Sequence, residues 1–234
     1  MENNEKKSKL RDISVKALQI VPLVLTVITV VLCLVFIIKN DITLKNIDNL
    51  ASYFTGSTMT VALLFIVIHV VKSAALFVSP VILYVLAGMV FDNFWVALIV
   101  GFIGSFLSLF VPYYLGRFLG MDAVNTLKKR FKAIEKIDGF TGKNAFGVVF
   151  ICKVGAIMPS DLNSLVFGAM NLPFGKYFLS SNFALLILDI LWTLLGAYGS
   201  ITDPLSYLYI SPAIIMAIIG TIYMGRNAKK KSEQ

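Results

Sequence analysis

Long uncharged apolar runs alternate with short polar connections along this chain, and the length of the runs sets its class. Ala17 to Ile38 gives 22 residues without a charge. At about 1.5 Å per residue, such a run crosses a hydrocarbon core of roughly 30 Å. Val61–Val78, Phe94–Val111, Leu179–Tyr198 and Leu205–Met224 are apolar runs of similar length. The alternating segments of about ten residues that mark a membrane β-barrel do not occur. The pattern predicts an all-α polytopic membrane protein, a helical bundle.

Two apolar regions are interrupted by proline. One is SPVILYVLAGM (79–89), the other MPSDLNSLVFGAM (158–170). Each has a proline, an apolar half-helix, then glycine and methionine. The second lies within FICKVGAIMPSDLNSLVFGAMNLP (150–173), which also carries Lys153 and Asp161. Pro/Gly-broken segments at corresponding places in two halves are the pattern of inverted-repeat transporters.

Charge placement turns this pattern into a topology. Lys6, Lys7, Lys9, Arg11 and Lys16 precede the first run; Arg117, Lys128, Lys129, Arg130, Lys132, Lys136 and Lys143 lie in the central connection; Arg226, Lys229, Lys230 and Lys231 close the chain. The positive-inside rule puts both tails and the central connection in the cytoplasm. The regions around Pro80 and Pro159 must then each make one net crossing despite holding two apolar stretches. The simplest solution is two re-entrant hairpins, the first entering from outside and the second from the cytoplasm, each followed by one span. A rival topology makes Val61–Val78 an ordinary span and places the basic connection outside.

The expected layout is a basic cytoplasmic tail at 1–16, a first transmembrane helix at 17–38 and a two-hairpin domain at 58–199, then a last transmembrane helix at 205–224 and a basic tail at 225–234. Within the domain, a hairpin at 58–92 leads to a span at 94–114, and a cytoplasmic amphipathic connection at 117–145 leads to a hairpin at 146–172 and a span at 178–199. Pro80, Gly88, Pro159 and Gly168 are the expected bend residues. Val124, Leu127, Phe131, Ile134 and Ile137 fall at helical spacing among lysines, which reads as a surface-lying amphipathic helix.

With 58% hydrophobic and only 15% charged residues, a soluble class is excluded. Cys33 and Cys152 lie in apolar runs, so neither a disulfide framework nor a metal site is indicated. No zinc-protease, phosphate-loop or nucleophile-elbow motif is present, and one histidine leaves little room for a catalytic triad. The reading is not an enzyme, with no cofactor and no metal. The basic stretches are topology signals that also attract anionic headgroups, not a nucleic-acid surface.

Ionisable groups inside apolar runs are costly, roughly 2.5–3.5 kcal/mol each on insertion scales, so they face a cavity or a partner. Lys153 and Asp161 would sit about 12 Å apart in one straight helix, and Pro159 lets the chain fold back between them. They either line a headgroup cavity together with Asn163 or form a closed pair that only braces the hairpin. His69 and Lys72 share one helical face, as an opposing polar wall or as packing. Asp189, the acid of the span at 178–199, is read as a partner for Lys153 or Lys72. Arg117 either meets headgroups or marks the cytoplasmic end of its span. Asp92 and Asn93 are read as helix caps. Gly101, Gly104, Ser105 and Ser108 make a small-residue stripe that serves packing or a homodimer contact.

PVILYVLAGMVF (80–91), GFIGSFLSLFVPYYLGRFLG (101–120) and FICKVGAIMPSDLNSLVFGAMNLPFGKYF (150–178) together resemble the DedA-like membrane proteins with a VTT domain, also called SNARE-associated Golgi protein homologues. The resemblance implies two oppositely oriented re-entrant hairpins and lipid handling. Bacterial relatives are similar to polyprenyl-phosphate flippases, eukaryotic ones to phospholipid scramblases. Lys153 stands where that family usually has arginine, so a point charge replaces a bidentate clamp. Asp92 replaces a common glycine, Pro112 is unusual within its helix, and the family's pair of membrane acids near the first hairpin has no clear match. The expected function is flipping or scrambling of a phosphorylated lipid in a bacterial plasma membrane, with membrane lipids as partners, polyprenyl phosphate among them. The alternatives are a transporter of a small ion or polar solute, or a membrane organiser that transports nothing.

Overall fold

A computed structural model describes residues 56–76, 78–128, 145–155, 158–199, 204–209 and 211–232, with 24, 27, 28, 31, 54 and 134 as single positions. The expected first transmembrane helix and N-terminal tail fall almost wholly outside these residues, as does most of the connection after Lys128. All regular structure among the described residues is helical.

The first half opens with α1 (Thr58–Ser73), capped by the Ser57 hydroxyl, which accepts from the Thr60 N–H at 3.3 Å. Its inward seam is Val61, Phe65, His69 and Lys72, at steps of three and four, while Leu63, Leu64, Val67 and Val71 face outward. The polarity is thus inverted relative to a soluble helix: the polar groups sit inside and apolar side chains coat the exterior. After Ser73 the chain turns, and α2 (Val81–Val90) returns, started by Pro80. Ring pairs join the two arms, Phe65 to Phe91 with centroids 5.5 Å apart and His69 to Tyr84 at 5.8 Å.

Asn93 caps the next helix through Oδ1, which accepts from the Trp95 N–H at 2.8 Å. This helix is α3 (Phe94–Ser108), continued after a break at Leu109 by α4 (Phe110–Leu119). Together they span 26 residues, long and apolar enough to cross a membrane. Pro112 explains the break, because it has no N–H to offer the Ser108 carbonyl. Gly120, at φ +66, ends α4 in the left-handed region that a side chain would disfavour. The short α5 (Met121–Lys128) buries Val124 and Leu127.

The second half repeats the plan with α6 (Ala145–Val154), α7 (Ser160–Ala169) and the 25-residue α8 (Phe174–Tyr198). Helix α7 closes with paired bonds from Leu172 N to Phe167 O and from Asn171 N to Gly168 O, with Asn171 left-handed at φ 55. Pro173 then starts α8. The final span expected from residue 205 begins instead as a 3-10 turn (Pro204–Tyr209), and α9 (Ser211–Ser232) follows. Pro212 lies in its first turn, where no N–H is required.

The packing follows the same exchange in both halves. The first arm of each hairpin lies on the long helix of its own half, α1 on α3 and α6 on α8. The returning arm lies on the long helix of the other half, α2 on α8 and α7 on α4. Both crossings use paired glycines. A Cβ at Gly88 would overlap the Thr193 carbonyl, and one at Gly196 the Val85 carbonyl. A Cβ at Gly116 would overlap the Leu165 carbonyl, and one at Gly168 the Tyr113 carbonyl. Gly88 and Gly168 are therefore not bend residues, as expected from sequence, but helix-interior positions where two backbones touch. The bends belong to Pro80 and Pro159, which begin the returning arms.

Candidate functional site: the meeting of two hairpin tips

Helix α1 ends where α7 begins, and their polar groups meet across the two halves. Lys72 Nζ donates to Asp161 Oδ2 at 2.7 Å, and both side chains are buried. The residues are 89 positions apart, so the bridge is a tertiary one. Asp161 was expected either to line a cavity with Lys153 or to pair with it; its partner is Lys72. The reason is geometric: Asp161 lies in the first turn of α7 and faces the other half, whereas Lys153 reaches α7 from its own half.

Lys153 is 3% exposed and is held by neutral oxygens only. Its ammonium donates to the Ser160 carbonyl at 2.7 Å, to Ser160 Oγ at 2.9 Å and to Ser164 Oγ at 2.7 Å. The face of Tyr177 lies 6.0 Å from the same nitrogen, at the edge of cation–π range. Three acceptors saturate an ammonium. Ser160 and Ser164, four residues apart on α7, thus complete the site; the sequence signal was two serines at helical spacing facing a buried lysine. Asn163 braces the bend: its Nδ2 donates to the carbonyls of Cys152 at 3.1 Å and Met158 at 3.3 Å.

A second polar group lies where α1, α2 and α8 face α3. His69 Nδ1 is 3.0 Å from the Phe65 carbonyl, and its ring rests on Gly104, where a Cβ would come within 2.7 Å. The Asp189 carboxylate rests on Gly101, and its Oδ1 accepts from Thr193 Oγ1 at 2.9 Å. It meets neither Lys72 nor Lys153, contrary to expectation, because its position on α8 is level with the middle of α3 rather than with the tips. Tyr84 and Ser105 share a 2.6 Å hydrogen bond between hydroxyls. His69 Nε2 and Asp189 Oδ2 are buried without a hydrogen-bond partner. The glycines of the small-residue stripe accommodate these two side chains, a role that the motif alone did not reveal.

The chain's remaining candidates lie elsewhere. Arg117 is exposed near the end of α4, and its Nη1 donates to Tyr113 Oη at 3.1 Å. Asp92 is exposed beside a cleft of about 610 Å³ at the open end of the first hairpin, lined by Phe54, Thr58, Phe91 and Asn93 among others. No cluster of metal-ligating residues exists among the described residues.

Comparison with known families settles the relationship. The model of the VTT domain matches residues 77–198, more than half of the chain. The chain belongs to the VTT-domain family. It is a membrane protein of the DedA type, the class of SNARE-associated Golgi protein homologues. No curated protein and no solved structure matches it. The VTT match includes the returning arm of the first hairpin, both long helices and the whole second hairpin, and thus every residue named here around Lys153. Lys72 and His69 precede it. The inter-half bridge therefore joins a residue inside the matched domain to one outside it.

Proposed function

We propose that this VTT-domain protein moves a phosphorylated lipid across the membrane, the headgroup passing between the hairpin tips while the acyl or prenyl chain stays in the bilayer. One observation carries the reading: two buried ammonium groups, Lys72 and Lys153, converge on the first turn of α7 against a single carboxylate, Asp161. An excess positive charge in a low-dielectric interior is expensive unless an anion visits it. The uncapped start of α7, behind Pro159, adds its partial positive charge to the same place. In this reading the hairpins are re-entrant, the membrane is a bacterial plasma membrane and both termini are cytoplasmic. Transport needs no covalent step and no cofactor.

A second reading, transport of a small cation, rests on the orphaned Asp189 Oδ2 and His69 Nε2. Proteoliposomes separate the two. Lipid movement is followed by dithionite quenching of a fluorescent phospholipid and by the accessibility of a short-chain polyprenyl phosphate. Movement that depends on the protein and is lost in Lys153→Met supports lipid transport. Cation flux without lipid movement would replace that reading with the second.

A further inference from the structure

The Lys72–Asp161 bridge does something that the charge count alone does not require. It ties α1 of one half to α7 of the other, although these two helices are not among the closely packed pairs. Each is held mainly by a long helix, α1 by α3 and α7 by α4. The carboxylate thus occupies the position an incoming anion would take between the halves, and it has the chemistry of one face of a phosphate group.

We infer that Asp161 is an internal stand-in for substrate phosphate, which a phosphate monoester displaces from Lys72, so that binding unlatches the two hairpin tips. The inference deepens the proposed function and rests on it. A monoester carries close to two negative charges near neutral pH. With the bridge closed, Lys153 offers a single uncompensated positive charge. Once the carboxylate has moved off Lys72, that ammonium meets the phosphate directly, and Lys153, still held by Ser160 and Ser164, adds the second positive charge beside it. Helix α7 brings the two to one place: Lys72 meets Asp161, and Lys153 meets the preceding Ser160 and, one turn later, Ser164. The internal anion has two consequences. It keeps Lys72 compensated when no substrate is present, and it sets a threshold that a weaker or singly charged anion passes less readily.

The test is equilibrium binding to the full chain in detergent, with farnesyl phosphate as probe, farnesol as the control without phosphate, and inorganic phosphate as the control without lipid. Asp161→Asn removes the competing charge at nearly constant shape. It should tighten farnesyl phosphate by roughly 5- to 150-fold, the usual range of coupling between linked sites. Adding Lys72→Gln to that variant removes the charge from both ends of the bridge and should abolish the gain. Lys72→Gln alone leaves Asp161 without a cation and should weaken binding relative to wild type, a check that does not depend on the folding of Asp161→Asn. Unchanged or weaker binding by folded Asp161→Asn overturns the inference, as does a gain that persists without Lys72. If the wild type moves lipid but Asp161→Asn binds no tighter, only the latch fails. If the wild type neither binds a monoester nor moves lipid, the proposed function fails with it. A gain that inorganic phosphate reproduces in full keeps the latch and identifies free phosphate as the ligand.

Discussion

Gly168→Ala puts the tightest crossing of the fold to a quantitative test. A methyl group at 168 would overlap the Tyr113 carbonyl oxygen and lie 2.8 Å from its carbon and 3.1 Å from Arg117 N. Ordinary contact begins near 3.4 Å, and the neighbouring atoms are backbone, so no rotamer change relieves the overlap. Helices α4 and α7 must separate by about 1 Å, which loosens packing along the interface and strains the 2.6 Å bond from Tyr113 Oη to the Leu172 carbonyl. Overpacking of this kind costs about 1–3 kcal/mol, and the upper end applies where backbone meets backbone. The better helix propensity of alanine returns about 1 kcal/mol. A net loss of about 2 kcal/mol corresponds to a midpoint lowered by roughly 4–8 °C in a chain of this size. Gly147→Ala is the matched control: it is also helical, with nothing within 4 Å of its would-be Cβ, so it should hold or raise the midpoint. Thermal unfolding of both variants in one detergent, read by fluorescence-detected size exclusion, decides the matter. Equal midpoints for Gly168→Ala and Gly147→Ala would refute the crossing geometry.

Further expectations concern the polar interior and the topology. Ser164→Ala removes one of three acceptors from a buried ammonium and should lower stability by about 1.5–3 kcal/mol, measurable as a midpoint shift in the same assay. Tyr177→Phe removes the 3.1 Å hydrogen bond to the Leu109 carbonyl at the break between α3 and α4, with a loss of about 0.5–1.5 kcal/mol. Asn93→Ala removes the cap of α3 and should cost about 1 kcal/mol, whereas Asp92→Ala, at an exposed site with no capping role, should change the midpoint little. In a Cys33→Ser/Cys152→Ala background, a cysteine placed at Lys128 should react with an impermeant maleimide only in inside-out vesicles. Labelling from the external face would end the double-hairpin topology.

Local features of this fold were largely written in the sequence. Pro80 and Pro159 begin the returning arms, where a residue without an N–H loses nothing, and Asn93 caps α3, wherever the rest of the chain goes. The long runs after Asn93 and Pro173 are legible as helices, although the helices continue past the expected span 94–114 to Leu119 and begin before the expected span 178–199, at Phe174. Pairing was not legible. Lys153 and Asp161 are neighbours in sequence with opposite charges, and that proximity suggested a pair; yet a helix start fixes the direction in which a side chain leaves, and Asp161 leaves toward α1. Gly88 and Gly168 looked like bends because they follow prolines in matching motifs. Their use depends on which backbone lies opposite, and that is decided more than 50 residues away along the chain at Tyr113 and more than 100 away at Thr193. Asp189 was assigned a lysine because ions in apolar surroundings need compensation, whereas a hydroxyl from its own helix, Thr193, takes that place.

The 89-residue separation of Lys72 from Asp161 also bears on biosynthesis. At roughly 5–20 residues per second, a ribosome completes the lysine about 4–18 s before the aspartate exists. For that interval the nascent first hairpin carries a naked ammonium, and the docking surface for α2 on α8 has yet to be made. The early segment must therefore wait at the lipid–water boundary or in the shelter of the insertion machinery, and it can settle only when α8 arrives.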